Sequence, residues 1–165
     1  SQATEAAGAY STLQEAVREN DMARVRGASK TLFEEHGDSM LAAMGGLVAA
    51  KAHFDAEELD EAAEALRWVA ENSDPADFGT IARIRLAGIL LDQNKADEGL
   101  SLLDDQETPA AYKAQVADRR GDLLAALGQK SEAIAAYEAA LEGVGTGRGP
   151  QATIRLKRDA LKADS

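Results

Sequence analysis

The 165-residue sequence predicts an all-α protein: an array of about four helical hairpins followed by a closing, capping helix. Three observations carry this expectation. Apolar residues recur at helical spacing throughout, and no window of six alternates apolar and polar as a half-buried strand would. The composition is rich in helix formers, with 45% hydrophobic residues but only 4% aromatic. Helix breakers fall at regular places and cut the chain into segments of about 12 to 20 residues, the length of helices paired in hairpins.

In chain order, the helices are expected at about 4–19, 21–36, 39–55, 59–72, 75–93, 96–106, 109–127, 130–143 and 150–162. Glu19-Asn20-Asp21 parts the first two, and Glu35-His36-Gly37-Asp38 the second and third. The acidic run Asp55, Glu57, Glu58, Asp60 and Glu61 reads as a solvated turn whose carboxylates favour the N-terminus of the fourth. In Ser73-Asp74-Pro75, Asp74 can cap free amides while Pro75 takes the first helical position, where its missing N–H is harmless. Thr108-Pro109 repeats that pattern, and Gln93-Asn94 separates the two helices between. Gly128 and Gly143 can supply the left-handed conformation that ends a helix. The glycine-rich stretch from Gly143 to Gly149 reads as a linker, because a phosphate cradle would follow a strand.

An internal repeat organises these segments. A shift of 34 residues superimposes Ala87, Leu90, Asn94, Glu98, Gly99, Leu100 and Leu103 on Gly121, Leu124, Gly128, Glu132, Ala133, Ile134 and Tyr137. A further shift of 37 carries Gly99 back to Ala62, Glu98 to Glu61 and Leu103 to Leu66, with the three extra residues placed near Asn72 to Phe78. Small residues at matched positions let paired helices approach, and the larger residue four positions on plugs the gap. Leu66, Leu86, Leu90, Leu103, Leu124, Ile134 and Tyr137 are the expected core.

In "GDLLAALGQKSEAIAAYEAAL", the set Gly121, Ala133, Tyr137 and Ala140 with turn glycine Gly128 resembles the tetratricopeptide repeat. The resemblance implies one domain over 1–165, with degenerate repeats at about 9–38, 44–75, 80–108 and 114–143 and a closing helix at 150–162. The repeat's tryptophan position holds Gly46, Arg83 and Ala117 in successive units. Over nearly the whole chain, the layout resembles the periplasmic domain of the YfgM-type ancillary subunit of the bacterial Sec translocon. The matching segments include "AAGAYSTLQEAVRENDMARV", "LAAMGGLVAAKAHFDAEELDEAAEALRWV", "ARIRLAGILLDQNKADEGLSLLDD" and "ATIRLKRDAL". That family carries one membrane helix ahead of the domain, so the resemblance implies an anchor outside this sequence, with "SQATEAAG" as a small polar tether. It also implies a place at the periplasmic face of the inner membrane, and translocon subunits, a periplasmic chaperone and secretory clients as partners.

Charge and residue types narrow the function. With 29 acidic against 18 basic residues, a net charge of -11 argues against nucleic acid and bare anionic membrane as partners. No cysteine is present, which removes disulfides, thiolate metal sites and cysteine nucleophiles. The longest apolar stretch, Met40 to Ala50, is too short to span a bilayer. The two histidines, His36 and His53, fall in different hairpins, and His53 and Asp55 point apart on a helix. His36 reads as a helix C-terminal residue and His53 as buried or groove-lining. The acidic runs lack the spacing of a calcium loop. The expectation is a non-catalytic protein with no metal, cofactor or small-molecule substrate.

Such an array binds a partner segment along the face of its first helices. With Ala50, Ala87 and Gly121 as the small crossing residues, the adjoining positions are Leu47, Lys51 and Phe54, then Ile84, Gly88 and Leu91, then Asp118 and Asp122. One end of this groove is apolar and the other acidic, suiting a segment with apolar anchors and a basic end. Phe54 is the expected anchor. Arg148, Arg155, Lys157, Arg158 and Lys162 form a basic strip near the C-terminus that reads as a solvated cap or as a docking strip for an acidic partner. A self-associating scaffold is the alternative function.

Overall fold

The computed structural model describes residues 1–144 and 149–164, and no strand occurs among the described residues. Its helices are α1 (Gln2–Arg18), α2 (Met22–Glu35), α3 (Met40–Asp55), α4 (Leu59–Asn72), α5 (Thr80–Asp92), α6 (Ala96–Asp104), α7 (Lys113–Ala126), α8 (Lys130–Gly143) and α9 (Pro150–Ala163). The chain forms two compact units, Ser1–Arg83 and Ile84–Ser165. Residues 145–148 of the expected linker, with Arg148 of the basic strip, lie outside the described residues.

The sequence repeat is the spacing of one turn used four times. Asn20, Glu57, Asn94 and Gly128 all have positive φ, at 54°, 62°, 61° and 77°. The amide of the next residue then reaches back five positions: Asp21 to the Ala16 carbonyl at 3.0 Å, Glu58 to His53 at 2.8 Å, Lys95 to Leu90 at 2.7 Å and Gln129 to Leu124 at 2.9 Å. This closure satisfies a carbonyl that the end of the first helix would otherwise leave orphaned. The carbonyls of the same four residues accept the first bonds of the second helices, from Val25, Ala62, Gly99 and Ala133. Asparagine and glycine tolerate the left-handed region, whereas Glu57 accepts a cost of about 1–2 kcal/mol there.

Small residues at the helix crossings explain the packing. In the second unit, a Cβ placed on Gly121 would lie 2.4 Å from Tyr137 Cε1, so the ring occupies the space a side chain would need. In the first unit, Gly46 of α3 leaves room for Val69 of α4, whose Cγ2 would be 2.4 Å from an added Cβ, and for the Phe33 ring. That position therefore has no room for the tryptophan of the repeat. Leu13, Leu32, Leu66, Leu86 and Leu123 are fully buried, each contributing about 1.5–3 kcal/mol. Of the expected core, Leu66, Leu86, Leu90, Leu103, Leu124 and Tyr137 are buried. Ile134 is only half-buried, because Ala133 and Tyr137 take the inward positions of α8.

Several boundaries depart from expectation. "SQATEAAG" is the first two turns of α1, capped by Ser1, whose hydroxyl accepts from the Thr4 amide at 3.3 Å. Asp74 does cap, accepting from the Ala76 amide at 2.8 Å, but the next five residues form a single π turn, Pro75–Gly79, before α5 begins. A Cβ on Gly79 would approach the Ser73 carbonyl to 2.6 Å, so this wide turn needs glycine. Thr108 does not cap: Pro109 stays extended, and a 3-10 turn over Ala110–Tyr112 delays α7 to Lys113. Gly143 ends α8 without positive φ, whereas Gly149, which has positive φ, precedes α9 as its N-cap.

Candidate partner-binding site

In the first unit, α3 presents Leu47, Lys51 and Phe54 along one face, four and three residues apart. Leu47 is half-buried, Lys51 is exposed with its ammonium 2.9 Å from Asp55, and Phe54 is 46% exposed. Met40, at 64% exposure, falls in the same helical register two turns before Leu47. Met40, Leu47 and Phe54 thus space apolar groups along α3, with Lys51 between the last two and solvent over both ends.

The second helices of this unit carry a separate arrangement. His53 is buried, and its Nδ1 lies 2.9 Å from Glu58 Oε1 across the α3–α4 turn. His36 is also buried and closes α2 as its C-cap. From α2, Arg26 reaches Glu61 of α4 at 3.3 Å. In the last turn of α2, Phe33 stacks on Trp68 with ring centroids 4.2 Å apart and planes 12° from parallel.

The second unit treats its predicted site residues differently. Ile84 is buried with Ala87, Ala96, Leu103, Val116 and Leu123, and Leu91 packs against the same cluster. Ile84 is therefore a core residue rather than a lining one, because α6 and α7 converge on its side of α5. Gly88 is covered by Arg119, whose guanidinium carbon would sit 3.0 Å from an added Cβ. Arg119 also donates from Nε to the Ile84 carbonyl at 3.1 Å and from Nη1 to Asp122 at 3.3 Å.

Asp118 and Asp122 come together on α7, but they face α9. Lys157 Nζ donates to Asp118 at 2.7 Å and to Asp122 at 2.8 Å, the Tyr137 hydroxyl donates to Asp122 at 2.7 Å, and Nζ lies 5.1 Å from the Tyr137 ring centroid. Burial opposes the Lys157 charge, yet hydrogen bonds to the two aspartates outweigh it and hold its pKa above the ordinary lysine value. Burial, followed by the hydrogen bond to Asp122, pushes the Tyr137 phenol far above its usual range. The basic strip is used inside the chain in the same way: Lys162 meets Glu138 of α8 at 3.2 Å and Arg158 meets Asp159 at 3.0 Å. With Ile154 buried against Tyr137 and Ala140, α9 caps the last hairpin.

Neither unit assembles a group of three or more metal-ligating side chains among the described residues. No helix among them is long and apolar enough to cross a membrane. What the chain offers is helix surface. Four equivalent turns at 34- and 37-residue spacing, with small residues at the crossings, define a helical-hairpin repeat protein.

The chain belongs to the tetratricopeptide repeat-like domain family, which it matches over residues 1–163. It is similar to the ancillary SecYEG translocon subunit of Neisseria gonorrhoeae, 33% identical over 133 residues that make up 79% of this chain and 62% of that protein. The chain thus spans about three-fifths of the length of the curated relative it matches.

Proposed function

We propose that the protein is a non-catalytic interaction module serving as an accessory subunit of the Sec translocon. In this reading it is tethered at the periplasmic face of the inner membrane and works with a chaperone on emerging secretory proteins. The observation that carries the reading is the similarity to the gonococcal translocon subunit, extending over 79% of the chain. The α3 face supports it: Leu47, Lys51 and Phe54 offer one cation between apolar groups, a surface for a partner helix or extended segment with apolar anchors. In this reading the docking face is that of α3, since Ile84 is buried and Asp118 and Asp122 are paired within the chain with Lys157 and Arg119.

The test uses the full-length, membrane-anchored protein with an affinity tag. Translocon subunits should co-purify with the wild type and be lost with Phe54→Arg, while circular dichroism of the isolated domain stays unchanged. Undiminished co-purification with Phe54→Arg would remove α3 from the account. Absence of translocon subunits from the wild type would remove the translocon.

The second reading, self-association, rests on Leu156 of α9, 71% exposed. Light scattering over a concentration series decides it: a mass fixed at 17.4 kDa excludes it, and a rising mass abolished by Leu156→Ser supports it.

A further inference from the structure

Between α2 and α4 the first unit has an open cleft of about 420 Å³, within the range of roughly 300–1,000 Å³ typical of ligand sites. Two bridges bound it. At one end Arg26 pairs with Glu61, and at the other, two turns along, Phe33 stacks on Trp68. Between the bridges the facing residues are small, Ser29 and Ala65, so the helices are held apart without side chains to fill the space. Buried His53 forms part of the floor. Two turns of helix span about 11 Å, so a slot stopped at both ends admits one long side chain rather than a helix.

The chemistry of the lining selects which side chain. Arg26 is already engaged by Glu61, and Lys30 lies 3.9 Å from Glu34. Glu64, on the α4 rim, forms no ion pair among the described residues. The Ser29 hydroxyl donates to the Arg26 carbonyl at 3.0 Å, which leaves its oxygen lone pairs as acceptors. The lining therefore holds three carboxylates against two cations, acceptors on the floor and an aromatic wall, in a chain whose net charge is -11. A guanidinium meets all of these demands: it is planar, donates in several directions at once, and packs against aromatic carbon while its stem lies on Ala65.

We propose that this slot is a second docking site, receiving an arginine side chain of a partner protein between α2 and α4. It is built on the second helices of the hairpins and does not depend on the α3 face or on the translocon as partner.

Trp68 is the only tryptophan in the chain, so its emission reports on the slot directly. The isolated domain is titrated with the blocked peptide acetyl-Leu-Arg-Leu-amide and, separately, with its citrulline counterpart, which is isosteric but uncharged. The arginine peptide should change Trp68 emission saturably, and the citrulline peptide should bind about ten-fold more weakly, the loss expected when a charged hydrogen bond is removed. Glu64→Gln should weaken the arginine peptide to a similar degree with an unchanged circular dichroism spectrum, and Phe54→Ala should leave it unaffected. The proposal is overturned if the wild type shows no saturable change, if both peptides act equally, or if Glu64→Gln binds as well as the wild type.

Discussion

The two units treat their surface carboxylates in opposite ways. In the second, Asp118 and Asp122 are satisfied from within: Lys157 of α9 lies on both, and the Tyr137 hydroxyl closes on Asp122. In the first, Glu64 stands at the rim of a cleft, and the apolar groups of α3 end in an exposed phenylalanine. The difference lies in the helix that succeeds each hairpin along the chain. A basic helix, α9, comes after the last hairpin and serves as its cap, whereas Glu64 of α4 is given no cation among the described residues of its unit. The same repeat thus yields one set of carboxylates satisfied from within its unit and one, at Glu64, that is not, and the latter unit is where partners are to be sought.

Three predictions attack this comparison, beginning with the largest effect. Gly121→Leu should destabilise the second unit by about 3 kcal/mol, since even a Cβ there would lie 2.4 Å from Tyr137. Gly46→Leu should do the same to the first unit through Val69. Denaturant unfolding followed by circular dichroism measures both, and an unchanged midpoint for either would show that the repeat register is wrong.

Removing the cation that closes the second unit should cost less. Lys157→Met leaves Asp118 without its donor and Asp122 with only Tyr137 and Arg119, and should cost about 2 kcal/mol, against less than about 0.5 kcal/mol for Glu64→Gln in the first unit. Equal costs would erase the distinction between a closed and an open acidic surface.

Alkaline pH offers a gentler probe. Both Lys157 and Tyr137 hold their protons more tightly when folded, so above about pH 10 the unfolded chain releases protons that the folded one keeps. Stability is then fully present below about pH 10 and falls as pH rises beyond it. Tyr137→Phe should flatten that fall. A melting midpoint independent of pH between about 9 and 11 would contradict the network's energetic role.

Most of the architecture was legible in the sequence because it follows from local rules. The breakers at Asn20, Asn94 and Gly128 mark turns, of which Gly128 is left-handed as its residue type implies, and Asp74 caps as its place before Pro75 implies. The π turn after Asp74 was not legible, since Asp-Pro is an equally good start for an ordinary helix and only the approach of Gly79 to the Ser73 carbonyl distinguishes the two. The site was read less completely. Phe54 is exposed as spacing along α3 implied, but helical spacing alone does not say which neighbour will cover a face, and so Ile84 went to the core and Asp118 and Asp122 to Lys157. The basic strip contained the signal: positive side chains gathered after Asp118 and Asp122 of α7 invite internal pairing. The Phe33–Trp68 stack and the slot beside it join residues 35 apart that the repeat register does not align, so no pattern in one dimension exposes them.

The central claim is that the first unit, through α3, meets the partner while the second is sealed by α9. Photo-activated cross-linking in the full-length, membrane-anchored protein tests it directly, with a benzophenone amino acid placed at Phe54 in one variant and at Leu156 in another. The account predicts adducts with translocon subunits from position 54 and few or none from position 156. Adducts from position 156 with none from position 54 would contradict it.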